Sequence, residues 1–108
     1  MDLEEILRGM KVLQSFTDEQ IGQIASIAQL ESYATDSRVE QENDLARAVY
    51  LVHKGCVSIV IKLPPDRHVA IYVVKPGELF GWSAAVAPYQ ITASSLCMEP
   101  TELIALPH

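Results

Sequence analysis

No lysine or arginine occurs anywhere from residue 76 to the end of this 108-residue chain. The whole sequence is poor in positive charge: 8 Lys and Arg against 14 Asp and Glu leave a net charge of −6. That balance opposes nonspecific binding to nucleic acid, which draws its affinity from neutralising phosphates. The densest basic stretch, "KLPPDRH" at 62–68, carries an Asp of its own and reads as a solvated turn. Cysteine is scarce, with Cys56 and Cys97 only and no CxxC spacing, so a disulfide framework is excluded and two free buried thiols are expected. No apolar run approaches the roughly 20 residues of a membrane span. The N-terminus, "MDLEEILRGM", is acidic and amphipathic, unlike a signal peptide. These absences point to a cytoplasmic protein with no membrane and no nucleic-acid partner. Paired zinc motifs, a P-loop, a nucleophile elbow and a catalytic acid–base pair are also missing, so an enzyme is not expected.

What is present is one domain's worth of patterned sequence; 49% of the residues are hydrophobic. Residues 1–30 have helical spacing. Leu3, Ile6, Leu7 and Met10 form one apolar stripe. In "SFTDEQIGQIASIAQL", Thr17 is an N-cap, Gln20 completes a capping box, and Ile21, Ile24, Ala25 and Ala28 form the buried face. From residue 31 the period becomes two. Strands are expected at 31–34, 38–41, 49–53, 56–62, 68–74, 91–98 and 102–106, separated by "TDS", "END", "KG", "PPDR" and "KPGE". Val57, Ile59 and Ile61 should share one strand face, and Val69, Ile71 and Val73 another. Gly55, Gly77 and Asn43 occupy turns that call for positive φ. Short, evenly spaced strands of this kind make an antiparallel jelly roll or sandwich.

The segment "LFGWSAAVAPYQITASS", 79–95, has the layout of a small anion-binding loop: a Phe-Gly turn, a short helix over 83–86, a Pro-containing loop, and Thr92 on a new strand. With "FTDEQIGQIASIAQLESY", "AVYLVHKGCVSIVI", "VVKPGELFGWSA" and "ITASSLCMEPTELIALP" in this order, the chain resembles the cyclic-nucleotide-binding domain family, which includes the bacterial cyclic-AMP receptor proteins. The resemblance implies a mostly β fold, an antiparallel β-roll with two short N-terminal helices and a short cassette helix, the phosphate-binding cassette falling at 79–93. It implies a non-enzymatic regulatory or sensor domain acting in signal transduction. In binding members the cassette reads Phe-Gly-Glu, a short helix, then Arg-Ser/Thr-Ala; the Glu holds the ribose hydroxyl and the Arg pairs with the cyclic phosphate. Here Phe80 and Gly81 match, and so do Thr92 and Ala93. The Glu position is Trp82, and the Arg position is Ile91, or Gln90 if the loop shifts by one.

A phosphate left in a low-dielectric pocket without its cation costs several kcal/mol. At about 1.4 kcal/mol per tenfold, that turns a micromolar site into a millimolar one. Tight binding of cAMP or cGMP is therefore not expected, and no cofactor is assigned. If the cradle keeps its shape, Trp82→Glu with Ile91→Arg should restore part of the affinity. Three readings stay open. Ile59, Ile71, Tyr72, Phe80, Gly81, Trp82, Ser83, Gln90, Ile91, Thr92 and Ala93 line a pocket for a different small-molecule effector; or Trp82 fills the pocket and the domain serves dimerisation or protein docking; or cyclic nucleotides bind weakly. Family members continue into a lid helix, a dimerising helix and often a DNA reader; the sequence in hand runs to "TELIALPH", so it is read either as a fragment without its output device or as a unit whose pocket face needs another cover. A homodimer or protein partner is accordingly expected at the face near Leu79, Val86, Pro88 and Tyr89. The family also has haem- and redox-sensing relatives, which makes His53, Cys56, Cys97 and Met98 candidate metal ligands. Cys97 and Met98 would point to opposite faces of a strand, and no metal is assigned.

Overall fold

A computed structural model describes residues 2–85 and 87–107. Helix α1 spans Leu3–Arg8, capped by the Asp2 carboxylate, which accepts from the Glu5 N–H at 2.9 Å. A 3-10 turn at Lys11–Leu13 leads to α2, Asp18–Ile27. The expected capping box is formed: the Gln20 N–H donates to Thr17 Oγ1 and the Thr17 N–H to Gln20 Oε1. Among the described residues eight strands follow: β1 Gln29–Tyr33, β2 Arg38–Glu40, β3 Ala48–Lys54, β4 Val57–Leu63, β5 Arg67–Val74, β6 Leu79–Phe80, β7 Ser94–Cys97 and β8 Thr101–Pro107. They make two antiparallel four-stranded sheets, in the orders β1-β8-β3-β6 and β2-β7-β4-β5. The architecture is the expected mostly β roll with flanking helices. Among the described residues no helix is long and apolar enough to cross a membrane.

The roll closes over one apolar core. Tyr50, Val52, Phe80 and Leu103 of the first sheet meet Val57, Ile59, Val74 and Cys97 of the second. The first sheet is apolar on its outer face too, because Leu51 and Ile104 pack against Ile6, Leu7, Met10, Leu13 and Ile21. Two covered faces explain why β3 and β8 are near-continuous hydrophobic runs rather than alternating ones. Asn43, Gly55 and Gly77 all have positive φ, as their turns require.

Four details depart from the sequence reading. Strand β6, two residues long, is not among the strands expected from the sequence; it is held by pairing with Tyr50 and Leu51. The strand expected over 91–98 begins only at Ser94, so Thr92 lies before it. Backbone bonds explain this: Ile91 N donates to Asp44 O and Asn43 N donates to Ile91 O, both at 2.8 Å, tying 91 to a loop instead of a ladder. The cassette helix is a 3-10 turn at Trp82–Ala85, and Val86 lies outside the described residues. Finally, β5 does not keep one face. Tyr72 pairs with Ile59 and Ala70 with Val60, so Ile71 is an extra residue in a bulge and the alternation inverts there.

Candidate functional site

A cavity of about 160 Å3 opens between the second sheet and the cassette, lined by Glu40, Ile59, Tyr72, Phe80, Gly81, Trp82, Ser83, Ile91, Thr92 and Ala93. Its shape has local causes. The bulge at Ile71 sets Tyr72 directly beside Ile59, so the phenol reaches the cavity rim and Ile71 is left exposed outside it. Phe80 is buried, its ring stacked on Tyr50 at 5.1 Å. Gly81 then turns the chain at φ +87°, where a Cβ would come 3.0 Å from the Ala48 carbonyl oxygen. On the far side, Ile91 is only 5% exposed and packs with Ala46 and Ala84.

Two of the residues expected at the pocket do not line it. Ile71 is displaced by the bulge. Gln90 turns away, its Nε2 donating to the Asn43 carbonyl at 3.1 Å. Trp82 does line the cavity but does not fill it. The indole is 61% exposed and stands at the rim, between this cavity and a neighbouring apolar groove of about 340 Å3 bounded by Phe16, Val49 and Leu79. The pocket plugged by Trp82 is thus not what the structure contains. Gly81, at φ +87°, leads into the 3-10 turn Trp82–Ala85, and the indole on that turn is left mostly in solvent. Leu79, expected near an exposed contact face, is half-buried against the N-terminal helices.

The residue that sequence reading missed is Glu40. It is 8% exposed at the end of β2, which its N–H anchors by donating to Ser95 Oγ at 2.9 Å. Its Oε1 would lie 3.6 Å from a Cβ on Gly81, so the carboxylate sits against the cassette turn. None of the described residues hydrogen-bonds to it, yet no polar side-chain atom among them is both fully enclosed and unpartnered. The oxygens therefore open onto the hollows that Glu40 lines. Burial pushes its pKa up to about 7, and the Arg47 charge opposes that only in part. Arg47 is committed elsewhere: it pairs with Glu31 at 3.1 Å and donates to the Tyr50 hydroxyl at 2.6 Å. Burial raises the Glu31 carboxyl, but hydrogen bonds from Arg47 and Tyr33 and the Arg47 charge outweigh it and hold the group below its ordinary value. In "RVEQEN" nothing marks Glu40 as different from Glu42. Only the non-local approach of Gly81 does.

The remaining sequence candidates do not converge. His53 Nδ1 lies 3.1 Å from Glu102 Oε1. Cys97 is buried and Met98 exposed, while Cys56 is half-buried rather than buried. Among the described residues no group of three or more His, Cys, Asp or Glu side chains is placed to hold a metal ion.

The model of the cyclic nucleotide-binding domain matches residues 30–108, most of the chain. The chain belongs to the cyclic nucleotide-binding domain family. Among curated proteins this cyclic nucleotide-binding domain is similar to the cyclic AMP receptor protein of Thermus thermophilus, 27% identical over 100 residues, which are 93% of this chain and 46% of that protein. A solved chain from Geobacter metallireducens, assigned as a cyclic nucleotide-binding protein, superposes with a TM-score of 0.84 at 30% identity, covering 99% of this chain and 76% of that one. The regulatory subunit of a cAMP-independent protein kinase A from Trypanosoma brucei, a mutant bound to cAMP in its A site, shares the fold at TM-score 0.88 and 12% identity, over 95% of this chain and 38% of that one. The domain thus spans about half the length of the Thermus relative.

Proposed function

We propose that this domain is a non-enzymatic ligand-sensing module that does not hold cAMP or cGMP tightly. The observation that carries the reading is the charge of the lining: among the ten residues around the cavity there is no Lys or Arg and there is one carboxylate, Glu40. A cyclic phosphate placed there would meet a carboxyl group and no cation: its charge would go unpaired, and Glu40, with a pKa of about 7, would have to take up a proton to admit it. The 3-10 turn offers little compensation, since four residues do not build a helix dipole. The open cavity favours a ligand-holding role over a plugged relic. The Trypanosoma regulatory subunit supports a separation of fold from cyclic-nucleotide response: it belongs to a cAMP-independent kinase, and the form bound to cAMP is a mutant in which one substitution introduces an arginine.

A thermal-shift panel of cyclic nucleotides and uncharged or cationic small molecules tests this. A ligand at a hundred times its Kd stabilises the native state by about 2.7 kcal/mol. In a domain of this size that moves Tm by roughly 10 °C or more. Millimolar cAMP and cGMP are expected to give no comparable shift, whereas a compound of another class does. A large shift with either nucleotide contradicts the reading.

A further inference from the structure

We propose that Glu40 is the recognition acid of this cavity and that the cavity takes a small organic cation, an ammonium or amidinium group carried on a flat or apolar ring. The inference rests on the ligand-sensing reading above and adds to it the class of ligand.

A buried acid is normally paired or hydrogen-bonded. Among the described residues Glu40 has neither kind of partner, although it is more than nine-tenths buried and lines the cavity with its Oε1 beside Gly81. The charged and titratable groups around it are few. Arg47 and Tyr50 come from the β3 side, Asp44 from the loop before β3, and Tyr72 from β5. Arg47 is held by Glu31 and Tyr50, and Asp44 lines the adjoining hollow with Glu40. A cation arriving from solvent is the partner this acid lacks.

The rest of the lining suits the remainder of such a ligand. Trp82 and Tyr72, 61% and 53% exposed, stand at the rim with aromatic faces available for cation–π contact or ring stacking. Ile59, Phe80 and Ile91 give the interior an apolar wall. A volume of about 160 Å3 is close to that of a cavity that accommodates one benzene ring. The net charge of −6 draws cations toward the domain and discourages anions.

The pairing has a pH signature with a definite sign. Burial places the Glu40 pKa at about 7. A cation binds the ionised form, so below that value a proton must leave for each ligand that enters. Affinity should fall about tenfold per pH unit on the acid side, and binding there should release a proton.

Three isosteric probes separate the outcomes: benzamidine, benzamide and benzoate, titrated into the intact domain by calorimetry and by quenching of its single tryptophan, Trp82. At about pH 8, benzamidine should bind at least about tenfold more tightly than benzamide, and benzoate should not bind measurably. Benzamidine affinity should drop on moving to about pH 6, with proton release visible as a dependence of the heat on the buffer. Glu40→Gln should abolish both the preference and the pH dependence. Equal affinity for benzamidine and benzamide, a preference for benzoate, no benzamidine binding at its solubility limit, or an unchanged preference in Glu40→Gln would each overturn the proposal. The probe series on the unaltered protein decides the matter even if that variant folds poorly. A parallel cAMP titration keeps the two claims apart. Tight cAMP binding defeats the reading that the domain does not hold cyclic nucleotides, whereas weak cAMP binding with no cation preference defeats only the assignment of Glu40.

Discussion

Gly81 and Glu40 are packed face to face: a Cβ on the glycine would lie 3.6 Å from Glu40 Oε1, and only 3.0 Å and 3.2 Å from the Ala48 carbonyl oxygen and Tyr50 Cδ2. The left-handed turn at φ +87° is what allows the cassette to approach the end of β2 so closely. Gly81→Ala must strain that conformation and push against the β3 backbone. We expect a loss of about 1–3 kcal/mol in urea denaturation and an altered Trp82 emission. Wild-type stability in this variant would show that the turn does not need glycine.

Glu40 should make the domain less stable as pH rises. Its carboxyl moves from an ordinary 4.5 to about 7 on folding. Between those values the native state binds a proton that the unfolded chain has released, so unfolding free energy falls with increasing pH and the penalty is complete above about 7. Its size is on the order of 3 kcal/mol. Glu40→Gln should therefore stabilise the domain by roughly 1–3 kcal/mol at about pH 8 and by little at about pH 4. A gain of equal size at both pH values would contradict the assignment.

Much of the fold was legible because its signals are local. Thr17 and Gln20 announce α2 within four residues, and Asn43, Gly55 and Gly77 mark turns through their own backbone preferences. The cassette was likewise readable from the Phe80-Gly81 turn and from Thr92 and Ala93. What escaped depends on partners distant in sequence. The bulge at Ile71 arises from how β5 registers on β4, and "AIYVV" alternates no differently from an unbulged strand. Glu40 reads as a solvent-facing residue until Gly81 closes over it. Ile91 reads as a lost arginine, while in the fold it is also an apolar plug against Ala46 and Ala84.

That second role of Ile91 changes what a reversion must contain. Trp82→Glu with Ile91→Arg supplies the two missing groups, but the new guanidinium would face the Glu40 carboxylate across the same cavity. An ion pair between them would satisfy the arginine without a phosphate. We expect little cAMP affinity from the double variant and a measurable gain once Glu40→Gln is added. Equal affinity in the double and triple variants would show that Glu40 does not compete. Both variants should also lose stability by about 1–3 kcal/mol, because a charge enters the Ala46–Ala84–Ile91 cluster.

The N-terminal helices are expected to contribute through their caps as well as their apolar faces. Thr17→Ala removes one half of the capping box and should cost about 1 kcal/mol in thermal or denaturant unfolding. Because α2 covers Leu51 and Ile104 rather than the cavity, probe binding should stay unchanged. A change in benzamidine affinity without a change in stability would mean that the helices govern the pocket directly.

The central claim is that a cavity carrying Glu40 and Trp82, with no cation in its lining, has lost tight cyclic-nucleotide binding while keeping the family's fold. Isothermal titration of the unaltered domain with cAMP and cGMP tests it most directly. The expected result is a dissociation constant of about millimolar or weaker for both nucleotides, at least about a thousandfold short of a micromolar site. A low-micromolar constant for either one would contradict the account.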